Sequence, residues 1–154
     1  MTIERVFVAG AGLMGHGIAQ VHAAIGIPVT LYEPDLARAE AGRDRIASNL
    51  DRAVAKGRLS QEERDATLAR VQPTADVGGV ATADLVIEAV FEDLAVKSTL
   101  WRELDAQAPQ AAIFASNTSS IAIHRLARPS SASGANASSG CISSVRSRSC
   151  RSSS

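Results

Sequence analysis

Between Arg5 and Tyr32 the chain runs RVFVAGAGLMGHGIAQVHAAIGIPVTLY, and this stretch restricts the possible folds more than any other. RVFVAG is a short apolar run ended by glycine, which predicts a buried strand over Arg5–Gly10. Ile18, Val21, Ala24 and Ile25 fall near one face of a helix running from about Leu13 to Ile25. PVTLYEPD then gives a second strand, Val29–Tyr32, stopped by Glu33 and Pro34. Strand, glycine turn, helix and strand make a βαβ unit, whose crossover brings the two strands together in parallel.

The turn itself carries chemistry. Gly10, Gly12 and Gly15 have the G-x-G-x-x-G spacing, with Leu13 and Met14 between the second and third glycines. Gly10 allows a tight turn, Gly12 lets the backbone approach a pyrophosphate, and Gly15 lets the helix pack close to the strand. The helix N-terminus then offers N–H groups and partial positive charge to the phosphates. Glu33 ends the second strand 18 residues after Gly15, where an acid accepts hydrogen bonds from the adenosine ribose. Its charge would repel a 2′-phosphate, so the expected cofactor is NAD rather than NADP. The competing account makes the glycines ordinary strand-to-helix turns and Glu33 a solvated strand end.

The rest of the chain repeats the alternation. A polar, alanine-rich helix is expected over Leu36–Lys56, followed by SQEERDATLARV, where Ser60 and Glu63 have capping-box spacing. ADLVIEAV predicts a strand over Leu85–Ala89, and the helix from Glu92 turns Leu94, Leu100, Trp101 and Leu104 inward. AAIFASN, Ala111–Asn117, is a further strand, and SSIAIHRLA begins a short helix. The order predicts an α/β fold: a Rossmann-type, doubly wound parallel sheet, incomplete at its C-terminal end.

Charge and cysteines limit the partners. Formal charge is zero, but three arginines and no acid follow Pro129, so the body carries about minus three. No nucleic-acid partner is expected of it. Cys141 and Cys150 both lie near the end of the chain, so the body holds no disulfide framework, and no metal-ligating set is evident. With no secretory signal and no apolar run long enough to cross a membrane, a cytoplasmic location is the default expectation.

GAGLMGHGIAQ, LYEPD, ADLVIEAVFEDLAVKSTLWRELD and FASNTSSI occur in one order, and together they resemble the N-terminal domain of the 3-hydroxyacyl-CoA dehydrogenases from about Ile3 to Ala127. EAVFED and SNTSS make the resemblance specific, since neither is a general dinucleotide-fold feature. It implies that Ala89, Glu92, Lys97 and Asn117 join Gly10, Gly12, Leu13, Met14, Gly15 and Glu33 at the NAD site. It also implies that Asn117 and Ser119 lie where nicotinamide meets the substrate hydroxyl. Read without the resemblance, Glu92 is an early helix acid, Lys97 its surface partner and SNTSS a capping loop. His16, His22 and His124 match no catalytic histidine of the family.

The implied activity is NAD-dependent oxidation of (3S)-3-hydroxyacyl-CoA to 3-ketoacyl-CoA, with an acyl-CoA substrate and a homodimer expected of the full-length family member. In the family a histidine general base, oriented by a glutamate, follows the SNTSS helix in a G-[ML]-H-F-F-[NS]-P-V-P segment. Here residues 128–154 are Ser/Arg-rich: from Pro129 onward 12 of 26 residues are serine, with Ile142 and Val145 the only large aliphatics. Such a segment cannot offset the entropy of ordering and is expected to be disordered as written.

A shifted reading frame accounts for the break. Permitted codons for GCISSVRSRSCRSSS, read two bases further on, give MHFFSPVPVLPLVE, the missing family motif. Cys141 followed by Ile142 allows only histidine or tyrosine in the shifted frame, and Val145 permits serine but excludes asparagine. The expected domain plan is therefore an NAD-binding domain over 1–127 and a frameshifted or disordered tail over 128–154, without the family's helical C-terminal domain. The chain as written is expected to bind NAD without turnover. The rival functions are a non-catalytic NAD-binding module and another dehydrogenase of the 6-phosphogluconate or 3-hydroxyisobutyrate type.

Overall fold

The computed structural model describes residues 2–90 and 94–116, except for the side chains of 94–96. Glu92, Asn117, Ser119, His124 and the segment 128–154 lie outside the described residues. Within them the order is β1 (Val6–Ala9), α1 (Leu13–Ala24), β2 (Val29–Tyr32), α2 (Leu36–Ala55), α3 (Gln61–Ala69), β3 (Val71–Thr74), a 3₁₀ turn (Val77–Thr82), β4 (Leu85–Glu88), α4 (Leu94–Gln107) and β5 (Ile113–Ser116).

All five strands are parallel and lie in the order β3-β2-β1-β4-β5. This is the Rossmann-type sheet the alternation predicts. Because helices cover both faces, the central strands are apolar at successive positions rather than at alternate ones. Val6, Val8, Val29, Leu31, Val71 and Ile87 pack on one face with Ala19 and Ala23 of α1, Ile46 and Leu50 of α2 and Leu68 of α3. Phe7, Ala9, Tyr32 and Val86 pack on the other with Val80, Ala83 and the α4 residues Leu100 and Leu104. Phe7 and Tyr32 stack there at 5.7 Å between ring centroids.

Helix starts follow their local chemistry. The Asp35 carboxylate accepts the Ala37 N–H and starts α2. At α3 the expected capping box is present: Ser60 Oγ accepts the Glu63 N–H at 3.1 Å, and the Ser60 N–H donates to Glu63 Oε2 at 2.9 Å. Among the described residues no helix is long and apolar enough to cross a membrane.

One expectation needs correction, and one strand has no counterpart in the sequence pattern. The buried side of α1 is Gly15, His16, Ala19 and Ala23, whereas Val21, Ala24 and Ile25 face outward and only Ile18 of the expected four packs against the core. The reason is proximity: a Cβ on Gly15 would overlap the carbonyl oxygen of Gly10, so the start of the helix lies against the loop after β1 with its small residues turned to the sheet. The strand is VQPT, which patterning does not mark because Gln72 and Pro73 interrupt it. It forms β3 because it lies at the edge, where proline is tolerated. Trp101, expected inward, is half-buried and tilts against Phe114 at 5.2 Å.

Candidate functional site

Strand β1 lies between β2 and β4; the chain leaves the carboxyl end of β1 toward β2 and that of β4 the opposite way, toward β5. Open α/β sheets bind ligands at such a switch point. Gly10 turns the chain there with φ of 110°, a conformation that L side chains rarely adopt, and a Cβ would lie 2.6 Å from the Ala89 carbonyl oxygen. Gly12 differs from its two neighbours in the motif: a Cβ there would meet nothing within 4 Å. Gly10 and Gly15 are thus glycines because protein backbone approaches them, and Gly12 opens onto free space.

That space faces an uncapped helix. Gly12 is the N-cap of α1, no side chain caps it, and no acidic residue occupies the first turn. The first-turn N–H groups are therefore available to an anion. Leu13 is 83% exposed and Met14 54%, so both flank the opening. Ala89 lies beside the loop, its N–H donating to the Ala9 carbonyl at 2.8 Å.

Glu33 reaches the same loop from β2. Its Oε1 accepts the Ala11 N–H at 3.0 Å, which fixes the carboxylate next to the glycines. Burial holds the Tyr32 phenol above its usual range, and the nearby Glu103, Glu33 and Asp76 carboxylates add to this. His16 is buried and its Nδ1–H donates to the Gly12 carbonyl at 2.6 Å, while His22 donates in the same way to Ile18 at 2.8 Å. Both rings serve the helix. The residues present fit a dinucleotide: an open Gly12, free backbone donors for the pyrophosphate and an oriented acid for a ribose.

On the other side of β1 is a second polar cluster. Lys97 is no surface partner of a helix acid; it is 1% exposed, and its Nζ lies 3.4 Å from Oε1 of the equally buried Glu88. Glu88 Oε1 also accepts the Val90 N–H at 2.9 Å, and Oε2 accepts the Ser116 hydroxyl at 2.6 Å. Ser116 directly precedes Asn117. Sequence reasoning singled out Lys97 and passed over Glu88 and Ser116. A signal for them existed: an acid ending the otherwise apolar strand LVIE requires a buried partner, and Lys97, Leu100 and Leu104 have the 3–4 spacing of one helix stripe.

Other parts of the surface offer less. A polar cleft lined by Glu40, Arg43, Asp44, Val71, Gln72 and Pro73 shares no residue with the loop. Arg43 is committed there to the carbonyls of Val71 and Leu68. No group of three metal-ligating side chains occurs among the described residues.

Comparison with known proteins agrees with this geometry. Residues 5–135 match the family model described as 3-hydroxyacyl-CoA dehydrogenase, NAD binding domain. A 3-hydroxybutyryl-CoA dehydrogenase of Mycobacterium tuberculosis is 48% identical over 126 residues, covering 81% of this chain and 44% of that protein. A 3-hydroxyadipyl-CoA dehydrogenase of Escherichia coli is 39% identical over 127 residues, covering 82% of this chain and 27% of its own length. The crystal structure of M. tuberculosis FadB2 superposes with a TM-score of 0.79 at 47% identity, over 82% of this chain and 45% of that one. The (S)-3-hydroxybutyryl-CoA dehydrogenase of Ralstonia eutropha gives 0.79 at 35% identity, over 81% and 44%. The chain thus spans less than half the length of these relatives. An open glycine loop, an acid fixed beside it and this match over most of the sequence lead to one conclusion: the chain belongs to the 3-hydroxyacyl-CoA dehydrogenase family and carries its NAD-binding domain.

Proposed function

We propose that this domain is the cofactor half of an enzyme that oxidises (3S)-3-hydroxyacyl-CoA to 3-ketoacyl-CoA, and that the present chain binds NAD without catalysing that reaction. One observation carries the reading: the uncapped, open glycine loop is locked by the Ala11–Glu33 hydrogen bond. Backbone N–H groups at Gly12–Met14 hold the pyrophosphate, and Glu33 takes the adenosine ribose and disfavours a 2′-phosphate. When bound, NAD accepts the hydride from C3 of the substrate. Glu92, Lys97 and Asn117 hold the nicotinamide end, and Asn117 with Ser119 positions the 3-hydroxyl. The proton of that hydroxyl goes to a histidine base, oriented by a glutamate, in the segment that the shifted frame encodes as MHFFSPVPVLPLVE. The full enzyme acts as a homodimer on an acyl-CoA.

The test compares two proteins made from the same DNA, the chain as written and the product of the restored frame. Calorimetric titration should give NAD binding to both, weaker for NADP. Formation of NADH from 3-hydroxybutyryl-CoA should appear only with the restored product. Absence of NAD binding by the written chain would overturn the cofactor assignment. A restored product that binds NAD and leaves hydroxyacyl-CoA unoxidised would overturn the activity.

A further inference from the structure

We infer that Glu88 is a positioning residue, which sets the Lys97 ammonium and the end of β5 for the nicotinamide half of NAD. The inference rests on the cofactor site proposed above. Its observation is separate: one buried carboxylate joins three elements at the carboxyl edge of the sheet. Oε1 takes the Val90 N–H from the loop after β4 and faces Lys97 Nζ of α4, while Oε2 takes the Ser116 hydroxyl at the last position of β5.

Register places this cluster beside the glycine loop. Glu88 is paired with Ala9 on one side and Ser116 on the other, so all three end their strands on one line. Ala89, the next residue, packs its carbonyl against Gly10. Glu33 occupies the β2 side of β1 and the loop crosses the top of β1. A dinucleotide that lays its adenosine over β2 therefore extends its other half over β4. Glu88 lies beneath that half.

Packing alone gives no reason for an ion pair here. The inward stripe of α4 continues from Lys97 through Leu100 and Leu104, and the rest of β4 is Leu85, Val86 and Ile87. Apolar residues at 88 and 97 would complete both surfaces without removing two charges from water. The separation of 3.4 Å exceeds the 2.7–2.9 Å of a tight charged hydrogen bond. An ammonium has three donors, and this contact engages at most one of them. Glu88 thus holds Lys97 by charge while leaving it able to donate elsewhere. Through Ser116 it also fixes the residue before Asn117.

The experiment titrates the written chain and its Glu88→Gln variant with NAD and, separately, with ADP, which retains only the half of the cofactor assigned to β2 and the loop. Glu88→Gln should weaken NAD about tenfold, the loss expected for hydrogen bonding to a charged group. ADP affinity should stay within about twofold, a shift too small for a lost charged contact. A purely structural role would weaken both ligands in parallel, and that result, or unchanged NAD affinity, overturns the inference. If circular dichroism shows that Glu88→Gln does not fold, Ser116→Ala, which removes one donor and no charge, carries the same NAD-against-ADP comparison. Failure of the parent chain to bind either ligand counts against the cofactor site itself, and so against the inference built on it.

Discussion

The Glu33 carboxylate and the Ala11 N–H meet at 3.0 Å across 22 residues of sequence, tying the end of β2 to the loop after β1. The acid proposed to select the cofactor therefore also fixes the loop proposed to hold it. Glu33→Gln keeps an acceptor for Ala11 but removes the charge. NAD affinity should fall by about tenfold or less, the scale of one charged hydrogen bond, and preference over NADP should narrow because the repulsion of a 2′-phosphate is gone. Paired calorimetric titrations with the two cofactors decide it; an unchanged NAD-to-NADP ratio would show that Glu33 does not discriminate.

Two glycines of α1 should respond in opposite ways to the same methyl group. Gly15→Ala places a Cβ against the Gly10 carbonyl, so the helix must move, at a cost of about 1–3 kcal/mol. Gly17→Ala meets nothing within 4 Å and should stabilise the helix by about 0.5–1 kcal/mol. Urea unfolding of both variants provides the comparison.

Lys97→Met should destabilise the domain strongly, by about 3–5 kcal/mol, because it leaves Glu88 buried without its counter-charge. Combining it with Glu88→Leu removes the stranded charge and should recover much of that loss. A double variant as unstable as Lys97→Met alone would mean that the cost arises from packing.

At α3 the hydrogen bonds from Ser60 hold the Glu63 carboxyl below the usual range. A depressed carboxyl contributes stability above its unfolded pKa and loses it as the pH falls through the folded value. Thermal unfolding from neutral to acid pH should show this component, and Ser60→Ala should diminish it while costing about 1 kcal/mol for the lost cap.

The glycine spacing, the apolar strands and the cap of α3 were legible because each depends on residues close in sequence. The α1 face was misread for a physical reason. Periodicity assigns the largest apolar side chains inward, but the contact between Gly15 and Gly10 brings the start of the helix against the loop after β1 and turns the Gly15, Ala19 and Ala23 side to the sheet. Strand β3 escaped notice because an edge position suspends the rule against proline. The Glu88–Lys97–Ser116 cluster joins β4, α4 and β5, and its pairings become visible only when the strands are in register.

Pro73 also makes one border of the sheet unlike the other. Val29 and Glu33 donate to the carbonyls of Arg70 and Thr74, so the even-numbered groups of β3 face β2 and the position of Pro73 faces outward. A strand arriving at that border would find a pyrrolidine ring where it needs a donor. Among the described residues the other border is β5. That strand, Ile113–Ser116, contains no proline, so of the two borders only the one that carries Ser116 keeps every backbone donor.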